Sequence, residues 1–175
     1  MDIKDEDSLT LDLVPVLLRR EIEARILGPI IEALCQRYPE KEVLEIIRRT
    51  IETIAKAQGE ELRGKMGGNS LEDFKKSQDV WRKSGAVEIE VLKDTDQEYA
   101  FLVHRCLYAE LYESLGLKKW GVIFSCMRDF PLIEGFNPQI KLERKHTIME
   151  GYDYCDFRYF LSSSGGERVS HKERP

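Results

Sequence analysis

The run IKLERKHTIMEGYDYCDFRYFL, residues 140–161, tells a helical chain from one that also carries a sheet. Ile140, Leu142, Arg144, His146 and Ile148 share one parity, and Lys141, Glu143, Lys145 and Thr147 the other. A period of two is the mark of a strand with one half-buried face. Arg144 and His146 then lie on the apolar face, where a cation needs a partner and an imidazole needs hydrogen bonds. After a turn at Gly151 the alternation resumes, with Cys155, Phe157, Tyr159 and Leu161 on one face and Tyr154, Asp156, Arg158 and Phe160 on the other. The two runs predict an antiparallel hairpin with a loop of about four residues. Two registers stay open. One puts Arg144 and His146 on the face of Cys155; a slip of one residue exchanges Cys155 for Asp156.

Upstream, Gly121 to Phe130 predicts a short helix with Cys126 and Asp129 three apart on one face, stopped by Pro131. Val87, Ile89 and Val91, then Tyr99, Phe101 and Val103, alternate about a polar turn at Lys93–Gln97 and read as a second hairpin. It delivers His104 and Cys106 at its end, and Cys106 opens a helix that Gly116 closes. The first half is helical. Leu18, Ile22, Ile26 and Leu27 recur at helical spacing after a cap at Thr10 or Asp12 with Pro15 near the start. Gly28-Pro29 predicts a break, and a short second helix through Ile30, Ile31 and Leu34 carries Cys35 as a small core residue. From Glu40 the stripe Val43, Ile46, Ile47, Ile51 and Ile54 predicts a strong amphipathic helix, ended by Gly64, Gly67 and Gly68. Ser70 and Asp73 pattern as a capping box for a helix that runs to about Lys83 and carries Trp81. The expected fold is α+β: N-terminal helices followed by an antiparallel sheet with inserted helices. Residues 1–9 form a flexible N-terminus. Residues 10–162 form a single domain, helical over 10–84 and sheet-bearing over 86–162. Residues 163–175 are a disordered tail that includes His171.

The bounds agree. A chain of 175 residues with 42% hydrophobic content can bury a real core. Its net charge of −5, with no basic block, argues against nucleic acid as a partner. No apolar run approaches the roughly 20 residues of a membrane span. The acidic start, Met1 to Asp7, lacks the cationic region of a secretion signal, so the expected location is cytoplasmic with reduced thiols. The four cysteines, at 35, 106, 126 and 155, form no CxxC pair.

Chemistry gathers in the second half. Cys106, Cys126 and Cys155 come from three separate elements. As types they suit plain core packing, a zinc site together with histidine, or a nucleophile with an acid–base partner. Cys106 at a helix start and Cys126 near Arg144 have local reasons for a lowered pKa, although Asp129 beside Cys126 pulls the other way. The expected site therefore includes Cys106, Cys126, Asp129, Cys155 and Asp156 as catalytic groups, with Arg144, His146 and His104 toward substrate. As strand histidines, His104 and His146 also suit a purely structural role. No cofactor is expected, zinc being the one metal that these side chains would take.

At F-S-C-M-R-D (124–129), L-E-R-K-H-T-I-M-E-G (142–151), Y-C-D-F-R-Y (154–159) and V-H-R-C-L-Y-A-E (103–110), the chain resembles the L-2-amino-thiazoline-4-carboxylic acid hydrolase family. Arg144, Thr147, Gly151, Cys155, Asp156 and Phe157 match its motif best. The resemblance implies a hydrolase that opens a small cyclic thiazoline by adding water at the carbon between sulfur and nitrogen. A base or thiolate activates the attack, and Arg144 holds the substrate carboxylate. The ending G-Y-D-Y-C-D-F-R-Y is also similar to the last hairpin of the 4-vinyl reductase-type small-ligand-binding domain, which implies a pocket against the sheet. The competing expectations are a ligand sensor without catalysis and an assembly module. The stripe from Val43 to Ile54 is broader than a lone surface helix needs, and predicts a homodimer surface.

Overall fold

The structure, a computed structural model, describes residues 14–78 and 85–162. The expectations for residues 1–9, for caps at Thr10 or Asp12, for a helix running on to about Lys83 and for the tail with His171 fall on residues outside the described ones.

Helix α1 spans Val16–Cys35 without interruption, with Pro29 inside it. The break expected at Gly28-Pro29 does not occur. Gly28 is buried, and a Cβ there would meet the Leu117 side chain at 2.9 Å, so the packing that holds this turn against Leu117 outweighs the hydrogen bond Pro29 cannot donate. The buried face of α1 is Ala24, Gly28 and Ile31, whereas Leu18, Ile22, Ile26 and Ile30 are exposed. Of the residues that mark this helix in the sequence, Leu18, Ile22 and Ile26 therefore face outward, while Leu27 packs on the core.

Helix α2 spans Glu40–Met66 and ends at Gly67, whose φ of 68° is the left-handed cap that a residue with a Cβ resists. Val43 and Ile51 bury their side chains in this chain's own core, while Ile46 and Ile54 stay exposed, so only part of the predicted stripe is free. Helix α3, Leu71–Ser77, starts at the expected capping box of Ser70 and Asp73.

Strands β1 (Val87–Asp94) and β2 (Glu98–Cys106) form the first hairpin. Cys106 then caps α4 (Leu107–Ser114), followed by α5 (Lys118–Phe124), a 3-10 turn at Cys126–Arg128, and α6 (Asp129–Phe136). The single helix expected over 121–130 is thus divided. Pro131 does not stop a helix; it sits in the first turn of α6, where a missing N–H costs nothing. Strand β3 (Ile140–Glu143) pairs with β4 (Cys155–Leu161), and the sheet order is β1-β2-β4-β3, antiparallel throughout. The fold class is α+β, as expected.

Strand β3 is shorter than its alternation predicts. It stops at Glu143, and residues 144–154 make a longer connection with a 3-10 turn at Ile148–Glu150 and Gly151 at φ 99°. The register Ile140↔Leu161 and Leu142↔Tyr159 continues the parity of Arg144 toward Cys155.

One core lies among the helices, around Ile31, Tyr112, Trp120 and Phe124; the other lies on the sheet, around Phe74, Phe101, Phe136 and Tyr159. Helices α2 and α6 bridge them at unusually close range. A Cβ on Gly59 would lie 2.0 Å from the Leu132 carbonyl oxygen, and one on Gly135 would lie 2.1 Å from that of Lys56. The two backbones touch, which fixes where α6 presents its first residue, Asp129.

Candidate functional site

Between the inner face of the sheet and the starts of α1, α4 and α6 lies a cavity of about 120 Å³. That is close to the size of engineered cavities, about 150 Å³, that hold one benzene ring. Val87, Ile89, Phe101, Val103, Leu132 and Phe157 give it apolar walls. Cys106, Cys126, Cys155, Asp129 and Arg144 line it too, so five of the eight side chains expected at the site reach one cavity, four from separate elements and Arg144 from the connection after β3.

The centre of this polar cluster is an ion pair between the Arg144 guanidinium and the Asp129 carboxylate, whose side chains are 6% and 19% exposed. Arg144 also donates from Nη2 to the Cys126 carbonyl oxygen at 2.8 Å, and its guanidinium lies 5.2 Å from the Phe130 ring and 4.9 Å from the Phe157 ring. Two of its nitrogens are thus committed to protein acceptors. Burial pushes the Asp129 carboxyl above its ordinary range, against the opposing pull of Arg144. Burial works against the charge of Arg144 as well, but Asp129 beside it holds the guanidinium firmly protonated.

The thiols depart from expectation. Cys106 does sit at the start of α4, where the N–H groups of Ala109 and Tyr108 favour its thiolate, yet burial outweighs them and raises its pKa. Burial, and then the Asp129 charge, push the Cys126 thiol up strongly, more than Arg144 can offset. Cys155 is pushed up to about 11 by burial and accepts a hydrogen bond from the Ile148 N–H at 3.3 Å. The lowered thiol pKa expected for Cys106 and Cys126 is therefore corrected: water exclusion from the cavity end decides the sign. All four cysteines are free, and among the described residues no three His, Cys, Asp or Glu side chains gather as a metal-binding group.

The other expected site residues lie elsewhere. Asp156 accepts from the backbone N–H groups of Lys145 at 2.9 Å and His146 at 2.6 Å, and lies 3.2 Å from His146 Nδ1. Burial opposes its charge, but these donors outweigh it and hold the carboxyl below its ordinary range. It pins the connection after β3 and does not line the cavity. His146 turns to that side, between Tyr152 and Tyr154. His104 is exposed on the outer face of the sheet, 2.8 Å from Glu90.

Two charged cavity residues were not anticipated. Arg20 and Arg128 line the end near α1, with side chains 12% and 9% exposed. The signal for Arg20 was present: it is four residues from Val16, which also lines the cavity, and four from buried Ala24. Arg128 stands between Cys126 and Asp129 in the motif itself, where an arginine beside a carboxylate passes for a surface pair.

The sequence profile of the L-2-amino-thiazoline-4-carboxylic acid hydrolase family matches residues 19–159. The chain belongs to that family. The match takes in Arg20, α6, the first hairpin and most of the second, so every residue of the cavity's polar cluster falls inside it, with Val16 of the lining outside. No curated protein matches the chain. Among solved structures, the phenol-responsive sensory domain of the transcription activator PoxR, with phenol, is similar at TM-score 0.51 and 12% identity, covering 83% of this chain and 76% of that one. A trafficking protein particle complex subunit 3 from Naegleria fowleri, covalently bound to palmitic acid, gives TM-score 0.48 at 16% identity, covering 83% and 96%. The PoxR likeness is one of fold. No described helix is long and apolar enough to cross a membrane.

Proposed function

We propose that the chain is a hydrolase that opens a small five-membered heterocycle of the thiazoline type, with Asp129 as its acid–base group. The observation that carries this reading is the position of Asp129: a buried carboxylate, held by Arg144, at the polar end of a ring-sized cavity. Its raised pKa moves it toward the operating pH, where one group both takes and returns a proton efficiently. Water adds to the carbon between sulfur and nitrogen, and its oxygen forms the new bond as Asp129 takes its proton. The carbon–nitrogen π pair moves onto nitrogen, which takes that proton from Asp129. Asp129 then removes the remaining hydroxyl proton as the tetrahedral carbon collapses to a carbonyl and the carbon–sulfur bond breaks, and passes this second proton to the leaving sulfur. Arg144 is a positioning residue, which keeps Asp129 aimed. The three thiols, protonated at neutral pH, shape the pocket without attacking.

The test is turnover of L-2-amino-thiazoline-4-carboxylate. Asp129→Asn should lower kcat by about a hundredfold or more, the low end for losing an acid–base group. Single Cys106→Ser, Cys126→Ser and Cys155→Ser variants should stay within about tenfold. In the unmutated protein kcat/KM should fall as pH drops through the Asp129 pKa, because the base must be ionised. Full activity in folded Asp129→Asn, checked by circular dichroism, refutes the assignment.

A second reading, a ligand sensor without catalysis, is favoured by the apolar walls. The PoxR domain holds phenol, a single ring of the size this cavity accepts. Ligand binding with no hydrolysis in the unmutated protein selects it.

A further inference from the structure

Gln78 follows the last turn of α3, and its main-chain N–H donates to the Phe74 carbonyl at 3.3 Å and the Lys75 carbonyl at 3.1 Å. Closing the helix therefore asks nothing of its side chain. Four residues earlier, on the same face, Phe74 packs on Phe136 and Tyr159, with ring centroids 5.4 Å and 4.8 Å apart. That packing carries Gln78 to the inner side of the sheet, where it lines the cavity and is only 5% exposed. Glutamine is mostly a surface residue, so its burial here needs a cause. The Tyr159 hydroxyl is near enough for the Gln78 amide to favour its ionised form. Yet Gln78 Nε2 is buried, and no described group accepts a hydrogen bond from it. A buried donor left unmade destabilises a fold, and leucine or methionine would fill the position without stranding one. A stranded amide donor on the wall of a ring-sized cavity is half of a hydrogen bond whose other half a ligand can bring.

We infer that Gln78 determines specificity for a neutral acceptor on the bound ring, through a hydrogen bond from Nε2 to a ring nitrogen or a carbonyl oxygen. This rests on the cavity as the ligand site, which the hydrolase and sensor readings share, and on neither chemistry. The selection works by mismatch. A ring without a lone pair at that edge leaves the amide donor unmet, and a ring with an N–H there sets donor against donor. The apolar walls accept any small ring by shape; Gln78 accepts only those with an acceptor on the edge turned toward α3.

The experiment compares pyridine and benzene, rings of one shape that differ in a single acceptor, by NMR titration at pH 7.5, where pyridine is neutral. The unmutated protein should bind pyridine at least as tightly as benzene. Gln78→Met and Gln78→Leu, which remove the donor and keep much of the volume, should shift the ratio of the two Kd values toward benzene by about fivefold or more, the worth of one neutral hydrogen bond. Retained benzene binding in both variants reports an intact pocket. Without ligand, the two variants should melt no lower than the unmutated protein, because they remove a stranded donor; an amide with a purely structural role would fail this readout. A lower melting temperature in both variants means that the fold, or a captive water, already holds the amide, and overturns the inference. An unchanged Kd ratio, or benzene bound with pyridine rejected by the unmutated protein, overturns the role of Gln78 and leaves the cavity reading standing. Binding of neither ring overturns both. A pyridine preference that depends on Gln78, in a protein that turns over no thiazoline, supports the inference and removes the hydrolase.

Discussion

Replacing Arg144 by Met tests the centre of the site. Arg144 is 6% exposed and its carboxylate partner 19%, so the substitution strips a buried charge of its counter-ion while roughly keeping the volume between Phe130 and Phe157. Removing one partner of a buried pair costs about 3–5 kcal/mol. At about 2–4 °C per kcal/mol for a chain of this size, the melting temperature should fall by roughly 6–20 °C at pH 7. The cost depends on pH with a definite sign. The folded pKa of Asp129 already lies above its ordinary 3.8, and losing Arg144 raises it further. A raised folded pKa means that protonation favours the fold: that stability is fully present below the unfolded value and lost as pH rises through the folded one. The difference between Arg144→Met and the unmutated protein should therefore be largest at neutral pH and shrink as pH falls toward 4. Urea unfolding followed by fluorescence at pH 4.5 and pH 8 measures it, and the double variant Arg144→Met/Asp129→Asn should recover most of the loss. An equal deficit at both pH values, or a double variant no better than Arg144→Met, refutes the picture of an uncompensated carboxylate.

Gly59→Ala should destabilise by about 1–3 kcal/mol or more, as overpacking does, because its Cβ has only 2.0 Å to a carbonyl oxygen; chemical denaturation reads this, and a neutral result would mean that α2 and α6 separate freely. Iodoacetamide should alkylate Cys155 at pH 7.5 about a hundredfold more slowly in the folded than in the unfolded chain, since a pKa near 11 against an ordinary 9.0 leaves about a hundredth of the thiolate; mass spectrometry after timed quenching decides. Light scattering at micromolar concentration should give a dimer mass, with Ile22→Glu and Ile26→Glu on the exposed stripe of α1 returning a monomer; a monomer in the unmutated protein removes the dimer.

The parts legible in the sequence are those set by neighbouring residues. The Ser70–Asp73 box, the turn between β1 and β2, the alternation of β4 and the helix start at Cys106 each need only a few adjacent side chains, and each stands in the fold. The clustering of Cys126, Asp129, Arg144 and Cys155 was legible too, because the motif-bearing segments carry all four. What failed depends on distant partners. Strand β3 gives way after Glu143 where Asp156 captures two backbone N–H groups and Arg144 turns to Asp129, contacts that no local pattern announces. Pro29 survives within α1 because Leu117, far along the chain, packs on Gly28. The thiol pKa values reversed because burial is a property of the assembled cavity, whereas a helix start is visible in the sequence. Arg20 was hidden because the most apolar stripe of α1 is the one turned outward.

The glycine crossing of α2 and α6 also bears on how the cavity can be remodelled. Where two helices meet through side chains, exchanging one side chain slides them apart in small steps. Here backbone meets backbone at Gly59 and Gly135, so the wall that carries Asp129 and Leu132 has no such adjustment. Substrate range is then tuned most readily from the sheet wall, through Val87, Ile89, Phe101 and Val103 on the first hairpin. Directed evolution for larger or smaller rings would enrich changes at those four positions and leave both glycines untouched, which makes the first hairpin the specificity dial and the helix pair its fixed stop.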